Sequence, residues 1–164
     1  VTDLAAGDGL TLDIGCGSSR ILSGLRRPIG VEVQFNKLLY ARKHEAPLVN
    51  ASIFALPFRD NSVNAVVCSE VIEHIPAGAQ PFREISRVLK TGGKLVIGTP
   101  DYSRLTWRMI EWFYRVFAPG GYADEHITQY SRASLLRVLH EHGFVEDEAR
   151  YICGSEMIIR LTKR

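Results

Sequence analysis

Leu12-Asp13-Ile14-Gly15-Cys16-Gly17 constrains the fold of this chain more than any other stretch. An apolar run ends abruptly in two glycines one residue apart, so the backbone can turn sharply and lie against a ligand with no Cβ between them. Seventeen residues past Gly15, a second apolar run, Ile29-Gly30-Val31-Glu32-Val33, delivers an acid. Strand, glycine turn, helix, strand and acid is a nucleoside-binding layout, with backbone at the loop and a carboxylate on the ribose hydroxyls. A carboxylate accepts from two hydroxyls and repels a phosphate, so the ribose is an unphosphorylated one. A dinucleotide turn needs a third glycine, and Arg20 stands at that position. Nicotinamide and flavin readings are therefore set aside.

The rest of the chain fits one α/β domain over residues 1–164. Short apolar runs alternate with helical patterns, the signature of a parallel sheet with crossover helices. Strands are expected at Thr11–Ile14, Ile29–Val33, Leu48–Asn50, Ala65–Cys68 and Lys94–Thr99, with a terminal antiparallel pair at Phe144–Tyr151 and Met157–Thr162. Helices are expected near Arg20–Leu25, Asn36–His44, Ala79–Leu89 and Ser134–His142. The last is capped by Ser131 and closed by Gly143. A net charge of +2 makes no case for nucleic acid or an anionic membrane as a partner by bulk electrostatics, and leaves room for a local patch. Three cysteines without metal spacing read as reduced thiols of a cytoplasmic protein. No apolar run reaches membrane-spanning length.

Two features stand apart. Tyr102–Ala118 holds Tyr102, Trp107, Trp112, Phe113, Tyr114 and Phe117. Leu105, Met109, Trp112 and Val116 share one helical face, with Ile110, Phe113 and Phe117 beside it. A face this wide belongs to a packing helix buried on two sides, or to a lid over an apolar substrate. The second feature is Glu70-Val71-Ile72-Glu73-His74. On a helix, Glu70, Glu73 and His74 project together, and two carboxylates on one face call for something positive between them.

The motif residues resemble the class I S-adenosylmethionine-dependent methyltransferases, in which LDIGCG is a common first motif. The resemblance continues in order through Ala55-Leu56-Pro57-Phe58-Arg59-Asp60, Ile72-Glu73-His74-Ile75 and Leu89-Lys90-Thr91-Gly92-Gly93-Lys94. It implies a Rossmann-like α/β fold with a mostly parallel seven-stranded sheet and helices on both faces. It also implies a further N-terminal cap helix ahead of the first motif, which the domain over residues 1–164 is expected to lack. Asp13, Gly15, Cys16 and Gly17 would form the cofactor turn, Glu32 would hold the ribose, and Val33, Ser52, Ile53, Phe54 and Ser69 would line the adenine side of the site. The family usually has an Asp at the position of Ser52, and a hydroxyl accepts more weakly than a carboxylate.

The E-x-x-E-H run resembles the metal site of small-RNA 3′-end ribose methyltransferases and ubiquinone-pathway O-methyltransferases. His126-Ile-Thr-Gln-Tyr130-Ser131-Arg132 is similar to the distal histidine segment of the former. Glu70, Glu73, His74 and His126 are thus candidate ligands for Mg²⁺, Mn²⁺, Fe²⁺ or Zn²⁺. In metal-free relatives, His74 alone would be the catalytic base. The expected activity is O-methyl transfer to a small apolar or ring-bearing acceptor. The alternatives are a metal-dependent RNA 3′-end ribose methyltransferase, a non-catalytic S-adenosylmethionine-binding protein, or an interaction protein using the aromatic helix.

Overall fold

The computed structural model describes residues 1–5, 7–17, 20–117 and 126–164. Ser18, Ser19 and Ala118, which the sequence places in the glycine turn and at the end of the aromatic segment, lie outside the described residues.

Seven strands form one sheet: β1 (Thr11–Ile14), β2 (Pro28–Glu32), β3 (Leu48–Asn50), β4 (Val63–Ser69), β5 (Leu89–Pro100), β6 (Phe144–Ile152) and β7 (Glu156–Lys163). Their order is β3-β2-β1-β4-β5-β7-β6. Pairings from β3 through β5 are parallel, and β7 runs antiparallel between β5 and β6. The seven-stranded, mostly parallel expectation holds. The chain reverses direction of progress at β1 and β4, so the crevice beyond the carboxyl ends of these neighbours is where such sheets take ligands.

The central strands β1, β4 and the second half of β5 are buried on both faces, which is why they read as apolar runs rather than alternating ones. One face is the larger. Leu12, Ile14, Val66, Cys68, Leu95 and Ile97 pack there with Phe82, Ile85 and Val88 of α3 (Gln80–Val88) and Leu135 and Leu139 of α5 (Arg132–Glu141). On the other face, Val67, Val96 and Ile158 meet Leu4 and Ala5. Cys16 packs with Leu22 of α1 (Ile21–Gly24) and with Leu38 and Ala41 of α2 (Phe35–Ala41).

The helices follow their signals with informative exceptions. Ser131 caps α5 by accepting from Ser134 N–H at 3.2 Å, while Gly143 leaves the helix at φ +83. Expected as Asn36–His44, the second helix is α only to Ala41 and tightens to a 3₁₀ turn over Arg42–His44. The first helix shrinks to one turn because Pro28 already opens β2. α4 (Leu105–Phe117) follows β5 as expected. Its packing does not: Leu105, Met109, Trp112 and Val116 are between 51% and 72% exposed. The packing-helix reading is corrected, because the apolar stripe points away from the core.

Candidate cofactor crevice and acid–histidine cluster

Gly15 and Gly17 both take positive φ, +72 and +41, as the turn requires. A Cβ on Gly15 would stand 2.3 Å from Val71 Cγ2, so this glycine admits the side chain that follows β4. A Cβ on Gly17 would sit 3.6 Å from Glu32 Oε2, over the carboxylate. Gly15 and Cys16 N–H donate to Val31 O at 2.8 and 3.1 Å, and Gly17 N–H donates to Glu32 Oε2 at 3.1 Å. These three donors are spent on β2. The turn therefore offers a ligand its carbonyls and the space of absent side chains. Cys16 contributes backbone only, since its side chain is wholly buried beneath the turn and burial pushes its thiol up to about 12.

Glu32 ends β2 nearly buried, at 6% exposure. Its Oε1 accepts Gln34 N–H at 2.8 Å while Oε2 accepts Gly17 N–H. Each oxygen is held by one backbone donor and has a second lone pair to offer, which suits two vicinal hydroxyls. Val33, beside it, is exposed at the mouth of the crevice. Asp13 is the counterpart. It is 2% exposed, its Oδ2 has no hydrogen-bond partner among the described residues, and burial pushes its carboxyl up to about 7. An orphaned buried carboxylate oxygen next to a glycine turn fits the ammonium group of an amino-acid ligand.

On the adenine side, the Ser52 hydroxyl accepts Phe54 N–H at 3.2 Å, and Ser52 O accepts Ala55 N–H at 3.0 Å. Ser52 thus braces its own turn, which leaves one lone pair and one proton for a base edge. Ile53 is buried and Phe54 half-buried, with Phe54 O held by Gln80 Nε2 at 3.0 Å. Behind them Arg87 grips Leu56 O, Phe58 O and Glu84, and Glu84 accepts Leu56 N–H. That clamp explains the Leu-Pro-Phe segment, whose role the sequence did not disclose. Ser69 lies half-buried at the end of β4, and Gly98 leaves it room, since a Cβ there would meet Ser69 Oγ at 2.6 Å.

The acid–histidine run does not form the expected helix. Glu70 N–H still pairs with Gly98 O as a continuation of the sheet, and Glu70 then takes φ +55. This left-handed step swings Val71 onto Gly15. Only Ile72–His74 is helical, as a 3₁₀ turn. Glu70 consequently falls outside the ligand group: the atoms that come within 4.8 Å of one another belong to Glu73, His74 and His126. Glu70, partly open to solvent, instead hydrogen-bonds with the carboxyls of Glu73 and Glu156; partial desolvation and these neighbouring acids raise its pKa.

Glu73 is fully buried, so desolvation raises its pKa as well. Its Oε2 accepts from Thr99 Oγ1 at 3.1 Å, and its carboxylate shares a hydrogen bond with the neighbouring Glu70 carboxyl. The distal segment folds back as expected. Thr128 N–H donates to Glu73 O at 3.0 Å and Thr128 Oγ1 to Ile75 O at 2.6 Å. The His126 ring stands 4.9 Å from that of His74, stacks on Trp107 and has Nδ1 2.7 Å from Tyr102 OH. Thr99, Tyr102, Thr128 and Val71 are positioning residues whose roles the sequence did not disclose. Val71, Thr99 and Tyr102 lie at or just past strand ends, and Thr128 lies in the distal histidine segment.

Known proteins bear on this geometry. Residues 12–97 match the family model described as a methyltransferase domain, about half of the chain. A protein of Mycolicibacterium smegmatis named a "probable S-adenosylmethionine-dependent methyltransferase" is 32% identical over 154 residues, 88% of this chain and 55% of its own length. The chain spans roughly a third to just over half of the curated relatives it matches. Among solved structures, a Thermotoga maritima S-adenosylmethionine-dependent methyltransferase, titled a possible histamine N-methyltransferase, superposes with TM-score 0.83 at 22% identity. That match covers 99% of this chain and 86% of the other. The geranyl diphosphate C-methyltransferase of Streptomyces coelicolor, solved with Mg²⁺ and S-adenosyl-L-homocysteine, superposes at 0.74 with 17% identity, covering 97% and 74%. The carboxyl-edge crevice, the glycine turn with its spaced acid, and these matches agree: the chain belongs to the class I S-adenosylmethionine-dependent methyltransferase family.

Proposed function

We propose that this domain transfers the methyl group of S-adenosylmethionine to an oxygen of a small apolar or ring-bearing acceptor. The observation that carries the reading is the cluster of Glu73, His74 and His126 beside the cofactor crevice, walled by Trp107 and Tyr102. Asp13 would hold the amino group, Glu32 the ribose hydroxyls, and Val33, Ser52, Ile53, Phe54 and Ser69 the base and its approaches. The cofactor supplies an activated sulfonium methyl, so the protein's task is alignment and removal of the acceptor proton. His74 takes that proton as the oxygen–methyl bond forms and the sulfur–methyl bond breaks. Glu73, held by Thr99, favours the imidazolium that results, and Tyr102 fixes the ring of His126.

The convergence of Glu73, His74 and His126 ligand atoms within 4.8 Å of one another favours a second reading of the same cluster. One carboxylate and two imidazoles suit a divalent cation of the Mn²⁺, Fe²⁺ or Zn²⁺ kind more than Mg²⁺, which prefers oxygen. Such an ion would lower the pKa of an acceptor hydroxyl, an RNA 3′-end ribose among them. A screen of phenolic quinone precursors, amphiphiles and RNA 3′ ends, with and without chelator, tests both readings. Methyl transfer to a phenolic oxygen that survives chelator supports His74 as base. Activity lost to chelator and restored by one ion supports the metal. Transfer to nitrogen or carbon alone overturns the oxygen assignment.

A further inference from the structure

Residues 51–62, between β3 and β4, contain no strand or helix, yet Ser52, Ile53 and Phe54 among them are the residues assigned above to the base of the cofactor. α3 holds this segment from Phe54 to Ser62. Gln80, Glu84 and Arg87 stand at i, i+4 and i+7 on one face of that helix, while Phe82, Ile85 and Val88 root another face in the core. The Gln80 amide donates to Phe54 O at 3.0 Å, and Glu84 Oε2 accepts Leu56 N–H at 2.8 Å. Arg87 commits every N–H of its guanidinium. Two go to the Glu84 carboxylate, two to Leu56 O and Phe58 O, and one to Asp60 Oδ1, all at 2.7 to 2.9 Å. Asn61 and Ser62 N–H then donate to Arg87 O and Val88 O, both at 2.9 Å. Arg87 holds the Glu84 carboxyl below the usual carboxylate range, so the fork stays ionised.

We propose that Gln80, Glu84 and Arg87 are positioning residues for base selectivity, fixing by its backbone the segment that meets the base of the cofactor. The proposal rests on the reading of the crevice as a site for S-adenosylmethionine. These three residues act through Ser52, Ile53 and Phe54 rather than on the ligand. Ser52 makes such fixing necessary. A hydroxyl both donates and accepts, so by itself it matches either of two bases whose edges are reversed. Adenine presents an acceptor N1 beside a donor amino group; hypoxanthine presents an N1–H donor beside an acceptor oxygen. The choice between them then falls on where the backbone of the segment stands. An edge held in place pairs with one pattern and leaves buried groups unpaired against the other, whereas an edge free to shift adapts to both. Gln80, whose partner Phe54 O lies nearest the base, sets the end that matters most.

The test is calorimetric titration with S-adenosylhomocysteine and with S-inosylhomocysteine, the same ligand carrying hypoxanthine. The wild type should prefer the adenine ligand by roughly tenfold or more. Gln80→Leu removes one donor from an exposed helix position and should leave the melting temperature unchanged. It should cut the preference roughly threefold or more, by weakening the adenine ligand. Arg87→Lys keeps the charge but loses the fork, and should cut the preference roughly fivefold or more. Glu32→Ala is the contrast: it should weaken both ligands alike, because both carry the ribose. A wild type that binds the two ligands equally would overturn the proposal and leave the crevice reading in place. So would Gln80→Leu and Arg87→Lys that keep the wild-type preference, including by weakening both ligands by one factor, the mark of a merely structural role. A wild type that binds neither ligand would overturn the crevice reading, and this proposal with it.

Discussion

The cofactor crevice and the acid–histidine cluster both sit at the carboxyl edge of the sheet, and both bury acids, yet they treat them differently. In the crevice, Glu32 has a backbone N–H on each oxygen. In the cluster, Glu73 is more deeply buried and is crowded by a second carboxyl, that of Glu70. A carboxylate already satisfied by backbone is a rigid acceptor, ready for neutral hydroxyls. One crowded by another acid in a dry site is poised for positive charge, whether an imidazolium or a metal ion. Asp13, with Oδ2 lacking a hydrogen-bond partner among the described residues, brings an unmet acid into the crevice, and on the proposed reading an ammonium meets it.

The largest effects should fall on the cluster. His74→Ala should lower turnover by about 10²–10⁴-fold in a single-turnover assay, with cofactor binding unchanged. If the base mechanism holds, His126→Ala retains most of the rate and elemental analysis finds no stoichiometric metal. If a metal operates, His126→Ala falls with His74→Ala, while Glu70→Ala, outside the ligand group, loses less than either. Equal collapse of Glu70→Ala and His126→Ala would break the distinction drawn between these residues.

In the crevice the expected effects are smaller and fall on binding. Glu32→Ala should weaken S-adenosylhomocysteine by about 1–3 kcal/mol, the loss of a charge-assisted acceptor, measured by calorimetry. Unchanged affinity would move the ribose contact elsewhere. Ser52→Asp should tighten binding by about 1 kcal/mol or less, because one carboxylate oxygen can keep the Phe54 N–H while the other meets the adenine amino group. Equal or weaker binding would mean that the base edge is read without this residue.

Much of the fold was legible in the sequence. The strands Thr11–Ile14 and Leu48–Asn50 form with the expected bounds; the first is buried throughout, and such a strand must be an apolar run between turn residues. The glycine turn and Glu32 were legible because their spacing is set by one strand–turn–strand unit. The cluster was legible in part: Glu73, His74 and His126 come together and Glu70 stands outside the group. Helical spacing groups Glu70 with Glu73 and His74, but the close fit of Val71 against Gly15 requires a left-handed residue at position 70, and that requirement arises between strands distant in sequence. α4 shows the converse. Its amphipathic pattern was plain, yet a pattern reports that one face differs from the other, not which of them meets the core.

The central claim is that the crevice is prepared for a nucleoside bearing a cationic amino-acid end, with Glu32 satisfied in advance and Asp13 left waiting. Burial raises the folded-state pKa of Asp13 from 3.8 to about 7. The unliganded fold therefore gains stability from this group below pH 3.8 and loses it as pH rises through about 7. An ammonium ligand reverses the preference by favouring the ionised form. Titration of S-adenosylhomocysteine by calorimetry just below pH 7, in two buffers of different ionisation enthalpy, reads this directly. The account predicts one-to-one binding with release of a proton, a release that disappears in Asp13→Asn even as that variant gains stability without ligand above pH 7. Absence of binding, or binding whose heat is the same in both buffers, would contradict it.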